Sequence, residues 1–374
     1  MTVSEARRQF PHTWTDLIYL NHAAISPMSF RVREAVGKYF ERRALKGIEP
    51  YPWAQKMATE TKVLLGNLLH CPAEDFAFVL NTSDGLNVIA NGLDWKPGDR
   101  ILLNRLEFPA NLYPFLNLQH RGVIIDFIEP IDWKITPAMI AEKLTPETRL
   151  VSISFVQFLT GQRADLKAIG DLCLKRKVFF AVDVIQGIPH SQINVQESRI
   201  DFLSSGSHKW LMAPEGTGFI CASKHARSLI HQATLGWTSV TDPFTFDNLD
   251  PDRLREDSGR YENGTLNFPG IAGLKAALQF AFEFGIQEME RHILDLSNYL
   301  IDRLQSRGVN VLTPKEESSH AGIVSFEMEY PQEVYERLLK ENIVISNRAG
   351  KLRAAPHFYN TEDEMRKLYV ALFD

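Results

Sequence analysis

Cysteine is scarce in this chain. There are three in 374 residues, Cys71, Cys173 and Cys221, far apart in sequence and without a CxxC pair. They give neither a disulfide framework nor a zinc site, and are expected to be reduced thiols, as in the cytosol. Long apolar runs are also missing, so no segment reads as crossing a bilayer. The first residues, MTVSEARRQFPHTWTD, lack the apolar stretch of a secretory signal. Neither sign of charge dominates: 41 basic and 46 acidic residues give a net charge of -5. That leaves no basic field for nucleic acid and no charged tail. The phosphate-loop patterns GxxxxGK[ST] and GxGxxG are absent, which weakens any nucleotide-binding reading. The expectation is a cytoplasmic protein with no membrane, nucleic-acid or metal partner.

A hydrophobic share of 44% with 23% charged residues fits a globular protein with a substantial core. The length points to one large domain and a smaller one. From Phe76 onward short β-like runs appear: DFAFVL, RILLN, GVIIDFI, RLVSISFV, KVFFAVDV, RIDFLSSG and GTGFICA. Helical stretches such as SDGLNVIANGL and DLKAIGDLCLKRK lie between them, and in the latter Leu166, Ile169, Leu172 and Cys173 recur at helical spacing. Such alternation predicts a mainly parallel sheet covered on both faces, an α/β fold. After Asn263 a long helical region follows, with a break expected near Gly285, and then an α+β tail. The expected division is a large domain over 18–280 and a small C-terminal domain over 281–374, with residues 1–17 packing on the latter.

Three stretches carry chemistry. In VLNTSDGLNVIANGL, Thr82 and Ser83 stand where a helix begins, and free N–H groups and hydroxyls there can hold a phosphate. A plain helix cap is the simpler reading of that stretch alone. In FFAVDVIQG, Asp183 sits at the C-terminal end of a strand, the end that faces the ligand crevice in open α/β sheets. It could pair with a protonated cofactor nitrogen or merely cap a strand exit, and Gln186 lies just beyond. In SGSHKW, small residues precede Lys209, and Ser207 and His208 could bind an anion. A lysine beside a ligand cavity loses solvation, which lowers its pKa and frees a nucleophilic amine. Together, an anion cup, an acid and a lysine fit pyridoxal 5'-phosphate, which needs a Schiff-base lysine, a carboxylate at its ring nitrogen and a phosphate site.

The chain resembles the class V aminotransferase family of pyridoxal-phosphate enzymes, which includes cysteine desulfurases and isopenicillin N epimerase. The resemblance runs through YLNHAAISPMS, NTSDG, EFPAN, SFVQFLTGQRADL, AVDVIQG, SHKWLMAPEGTGF, GWTSV, RYENGTLNFPGIAGLKAAL and LRAAPHFYNTEDEM. It implies the type I fold of these enzymes: a seven-stranded-type, mainly parallel sheet in a large domain, plus a smaller α+β domain. It also implies roles. Lys209 would form the imine and Asp183 would pair with the pyridine nitrogen. Gln186 would lie near the ring hydroxyl. Thr82, Ser83, Ser207 and His208 would form the phosphate cup, and Arg353 would grip a substrate α-carboxylate. Asn21 would lie on the substrate-side loop. Gly264 and Thr265 would reach the phosphate of a partner subunit, which implies a homodimer with shared active sites.

The chain departs from the family at three places. Phe108 stands where many relatives place a ring-stacking histidine; it can stack but cannot carry a proton. Phe158 replaces an asparagine near the cofactor oxygen, with Gln157 as a substitute. The stretch ENIVISNRAGKLRAAP has no cysteine where desulfurases carry their nucleophile, and it places Asn347 and Arg348 where they could select a substrate. The expected enzyme acts at Cα of a small amino acid or amine, with Asp183 kept ionised by a charge pair and Lys209 as proton shuttle. Aminotransferase is the family default. A lyase or epimerase remains open, as does a cofactor-binding protein without catalysis. Phe108, Phe158 and Trp237 would line a restricted pocket or belong to the core.

Overall fold

The computed structural model describes residues 1–247 and 249–374. Each of the seven apolar runs becomes a strand of one sheet: β1 (Phe76–Val79), β2 (Arg100–Asn104), β3 (Ile124–Ile128), β4 (Thr148–Ser154), β5 (Phe179–Asp183), β6 (Phe202–Gly206) and β7 (Gly218–Ala222). Their order across the sheet is β1-β7-β6-β5-β4-β2-β3. Only β7 runs antiparallel to its neighbours. Strands β5, β6 and β7 are buried almost throughout because both faces are covered.

Helices supply that cover. The first two are α1 (Phe30–Leu45) and α2 (Tyr51–Leu69), which pack on α5 (Phe268–Phe284). Helix α3 (Thr82–Gly92) follows β1, and α4 (Leu166–Arg176) precedes β5. In α4 the Asp165 side chain accepts from the Ala168 N–H, while Leu166, Ile169 and Cys173 are buried. The long helical region does break at Gly285, whose φ of 102° separates α5 from α6 (Ile286–Ser306). A side chain there would be strained, so glycine permits the sharp change of direction.

Beyond α6 the chain forms a three-stranded antiparallel sheet of β8 (Val324–Phe326), β9 (Ser346–Arg348) and β10 (Lys351–Ala354), in the order β9-β10-β8. Helices α7 (Pro331–Lys340) and α8 (Glu362–Ala371) accompany it. Leu300, Phe326, Leu338, Leu352 and Leu368 share an apolar cluster there with Ile18 and Leu20 from near the N-terminus. Ile18–Tyr19 also pairs in parallel with Ile343–Val344. Arg7 donates to Glu364 at 2.6 Å and to the Tyr359 carbonyl at 3.1 Å. No helix among the described residues is long and apolar enough to cross a membrane.

The three cysteines are free thiols, as expected. Cys71 and Cys221, far apart in sequence, nevertheless bring their sulfurs to 3.8 Å. The pairing of β1 with β7 sets Phe76 opposite Cys221, and Cys71 is only a few residues before Phe76. Sequence separation says nothing about such a non-local approach.

Candidate active site

Strand register builds the site. Val79 is paired with Gly218, and Gly218 with Gly206, so three chain segments open at one end of the sheet. Helix α3 begins there. Its cap is Asn81, whose Oδ1 accepts the Asp84 N–H at 3.0 Å. The Thr82 hydroxyl oxygen accepts the Gly206 N–H at 2.8 Å, and Ser204 Oγ donates to the Thr82 carbonyl at 2.9 Å. These bonds fix the helix start against the strand that leads to Lys209. Gly85 allows the approach: a Cβ there would stand 2.2 Å from Ser204 Oγ.

The turn after β6 is held on every side. The Ser207 N–H donates to the Thr217 carbonyl, the Ser26 N–H to the His208 carbonyl, and the Met212 N–H to the Lys209 carbonyl, at 2.9 to 3.0 Å. Met212 takes a φ of 55°, the left-handed region that closes the turn. Lys209 thereby enters a crowded interior, with Nζ 5.4 Å from the centre of the Phe108 ring. Burial lowers its pKa; Asp183 opposes that shift, and Arg353 and Arg348 reinforce it. The amine is therefore easier to deprotonate than a surface lysine, as covalent chemistry at an amine requires.

Asp183 is 3% exposed and accepts the Ile185 N–H at 3.0 Å. Its carboxyl is pushed up, chiefly by burial and further by Glu107, against the pull of Ile185 and Lys209. In the chain by itself desolvation outweighs Lys209, and the expected charge pair of Asp183 is with a cofactor nitrogen, which would favour the carboxylate.

The other expected residues fall into groups. Phe108 and Phe158 meet edge-on, with ring centres 5.2 Å apart and planes at 74°. Gln186 donates to the Ala23 carbonyl at 2.9 Å and accepts from Trp210 Nε1 at 2.8 Å, leaving one amide hydrogen uncommitted. His208 is half-buried, with its pKa lowered by burial and then by Lys209. Asn21 bridges to Ala355, and its Oδ1 is buried without a partner. Arg353 is 2% exposed, donates from Nε to Ser346 Oγ at 3.1 Å and from Nη1 to the Phe158 carbonyl, and meets no carboxylate among the described residues. Its neighbour in the hairpin obeys strand alternation. Asn347 turns towards α7 and donates to Gln332 at 3.0 Å, while Ser346 and Arg348 share the opposite face with Arg353.

Some residues are not brought together. Gly264 and Thr265 line a separate cleft of about 620 Å³ with Asp84 and Asn87, and Thr265 is bonded to the Tyr51 hydroxyl at 2.7 Å. Trp237 packs on Tyr51 and Phe244 rather than on Phe108 and Phe158. Glu107, which no motif singled out, lies at the centre of the site's hydrogen-bond network. Its carboxylate accepts from Asn104, Asn111, Gln157 and both the N–H and Oγ of Ser154. The sequence offers only a faint signal, Asn104 and Asn111 at short range on either side of Glu107.

The chain contains the parts that pyridoxal phosphate demands. Ser207 Oγ is buried with no partner, and the Thr82 hydroxyl, having accepted from Gly206, keeps its own hydrogen to give. Both lie by the start of α3, where backbone N–H groups favour an anion. A buried acid and a desolvated lysine complete the set.

The sequence pattern of the class V aminotransferases matches residues 18–366. The chain belongs to the class V aminotransferase family. It is a pyridoxal-phosphate-dependent enzyme with the type I fold. A probable cysteine desulfurase of Methanothermobacter thermautotrophicus is 26% identical, covering 98% of this chain and 96% of that one. An uncharacterized aminotransferase, YcbU, of Bacillus subtilis is 24% identical over 96% of this chain and 94% of its own. Among solved structures, a cystine C–S lyase bound to its product cysteine persulfide superposes with a TM-score of 0.91 at 25% identity, covering 98% of this chain and 99% of that one. Apo cysteine desulfurase from Thermococcus onnurineus shares the fold, with a TM-score of 0.89 at 24% identity, covering 99% of this chain and 97% of that one.

Proposed function

We propose that this enzyme acts at Cα of a small amino acid or amine, with Lys209 Nζ as the atom that binds the cofactor covalently, and that it is an aminotransferase. The observation that carries the reading is a desolvated amine between one buried acid, Asp183, and one buried guanidinium without a carboxylate, Arg353. Bound pyridoxal phosphate supplies an electron-withdrawing ring conjugated to the substrate nitrogen, so that a bond to Cα can break heterolytically. Asp183 holds a proton on the ring nitrogen. Thr82, Ser83, Ser207 and His208 take the phosphate, Phe108 stacks on the ring, and Gln186 offers its spare N–H to the ring oxygen. Arg353 would present its planar fork to the α-carboxylate and so fix the orientation of the substrate's Cα. Released Lys209 Nζ takes the proton from Cα and returns it elsewhere. Asn21 and Arg348 contact the rest of the substrate.

Gly264 and Thr265, displaced from Lys209 in one chain, fit a role at the phosphate of a second subunit, so the working form is a homodimer. A small unit from about 281 onward and a cytoplasmic setting complete the proposal.

A second reading is a lyase that expels a β-substituent. It is favoured by the likeness to the cystine lyase, and by the absence of cysteine from 341–356, where a persulfide carrier would have to stand. An epimerase of the same fold is a further variant, and a cofactor-binding protein without catalysis is the least supported. Borohydride reduction of the cofactor-loaded protein and peptide mapping should mark Lys209; an unmarked Lys209 sinks the proposal. Products formed in deuterated water then separate the fates: keto acid for transamination, pyruvate for elimination, and deuterium at Cα for epimerisation.

A further inference from the structure

We propose that Glu107 is a positioning residue of this site: its buried carboxylate sets a second negative charge beside Asp183 and fixes the amide of Gln157. The inference rests on the reading of Asp183 as the partner of the cofactor's ring nitrogen. The geometry is specific. Ser154 on β4 is the register partner of Asp183 on β5. Glu107 accepts the Ser154 N–H at 2.8 Å and the Ser154 hydroxyl as well. Its carboxylate therefore stands one strand away from Asp183.

Five donors and no acceptor surround it, with Asn104 at 2.6 Å, Asn111 at 3.1 Å and Gln157 at 2.9 Å completing the set. That is the arrangement of an anion, because a carboxylate only accepts. Glu107 is 4% exposed and has no basic partner among its contacts. An uncompensated buried charge is costly unless something else in the site uses it.

The use lies in the local charge balance. Lys209, Arg353 and Arg348 act on one another across the site, and Asp183 faces Lys209 and Glu107. Without Glu107, three cations would confront a single acid. With it, the protein's own side chains supply two anions, besides the cofactor's phosphate and the substrate's carboxylate. A negative charge one strand from Asp183 raises the proton affinity of Asp183 and of any nitrogen that faces it. Residue 108 is a phenylalanine, so no proton-carrying side chain next to Glu107 shares that task. Glu107 also takes one N–H of Gln157, which leaves Gln157 Oε1 buried, unpartnered and held in one orientation.

The test is a pH titration of the absorbance of cofactor-loaded protein, with cofactor affinity measured separately by fluorescence. Glu107→Gln keeps an oxygen for Asn104, Gln157 and the Ser154 N–H, and the Ser154 hydroxyl can turn to accept. A charge lost at this range should lower the midpoint of the absorbance change by about one pH unit. Glu107→Asp keeps the charge and should hold the midpoint while weakening cofactor binding. An unmoved midpoint in a folded, cofactor-loaded Glu107→Gln protein overturns the inference, as does an equal fall in Glu107→Asp. If Glu107→Gln does not fold, Ser154→Ala serves. It leaves the anion less well solvated, so the midpoint should rise, and an unmoved or lowered midpoint rejects the idea. Wild-type protein that forms the band and carries the borohydride mark on Lys209 keeps the Lys209–Asp183 reading intact whichever way Glu107 falls.

Discussion

His357 donates its Nε2–H to the main-chain carbonyl of Trp210 across 2.9 Å, while its Nδ1 accepts the Phe358 N–H at 2.8 Å. Both ring nitrogens are committed, so the imidazole is neutral and its tautomer is fixed. Trp210 follows Lys209, and His357 comes four residues after Arg353. One side chain thus ties the lysine turn to the segment that carries the guanidinium. His22 adds a second tie, bonding Ala355 through Nδ1 and the Tyr359 hydroxyl through Nε2.

This tie makes the fold acid-sensitive. Burial lowers the His357 pKa from 6.5 to about 4, and lowers those of His22 and His190 as well. The unfolded chain binds these protons more readily, so stability is whole above about pH 6.5 and falls as the pH drops towards about 4. His357 alone accounts for about 3 kcal/mol at the lower end. Urea unfolding between those pH values should show the loss, and His357→Gln should flatten its slope. A stability that stays level down to pH 4 would contradict the neutral buried imidazole.

Arg353→Lys should raise KM for an amino acid by roughly 10- to 100-fold, because an ammonium cannot reproduce a two-pronged grip on a carboxylate. The lysine would also leave Ser346 Oγ and the Phe158 carbonyl short of donors. Comparing an amino acid with the matching amine separates the two effects. The amine should lose little in the variant, and an equal loss for both would remove Arg353 from the carboxylate site.

Thr82→Val keeps the shape of the side chain and removes its oxygen. The Gly206 N–H then has no acceptor, which costs about 1–3 kcal/mol. Cofactor affinity should fall as well, since the hydroxyl hydrogen is lost from the phosphate cup. Thermal unfolding and fluorescence titration measure the two losses. Intact cofactor affinity would limit Thr82 to a structural role.

The seven strands of the main sheet were legible because each is an apolar run flanked by turns, and a strand covered on both faces must be apolar along its length. Lys209 and Asp183 were legible because Asp183 ends such a run and Lys209 comes shortly after another. Glu107 and His357 were not. Their importance comes from partners supplied by other strands and by the chain's C-terminal part, and spacing along one segment cannot reveal those. The same holds for Cys71 and Cys221, which a strand register brings together across 150 residues. Trp237, left open between a pocket with Phe108 and the core, packs instead on Tyr51 and Phe244; an aromatic residue in a loop gives no sign of which way it turns.

Lys209 also makes a claim about stability. Its pKa is lowered because burial disfavours the ammonium, and Arg353 and Arg348 add repulsion. The unfolded chain binds that proton more readily, so this group weakens the fold at neutral pH and ceases to do so as the pH rises past about 10.5. Lys209→Met fills nearly the same space without the charge. It should raise the stability of the cofactor-free protein near pH 7 by up to about 3 kcal/mol. It should also cut turnover by a factor on the order of 10³ or more, since neither covalent attachment nor proton transfer at Cα survives. Denaturant midpoints and initial rates on the same preparations decide the matter. A less stable variant would mean that the amine's partners outweigh its desolvation, and turnover near the wild-type rate would take the chemistry away from residue 209.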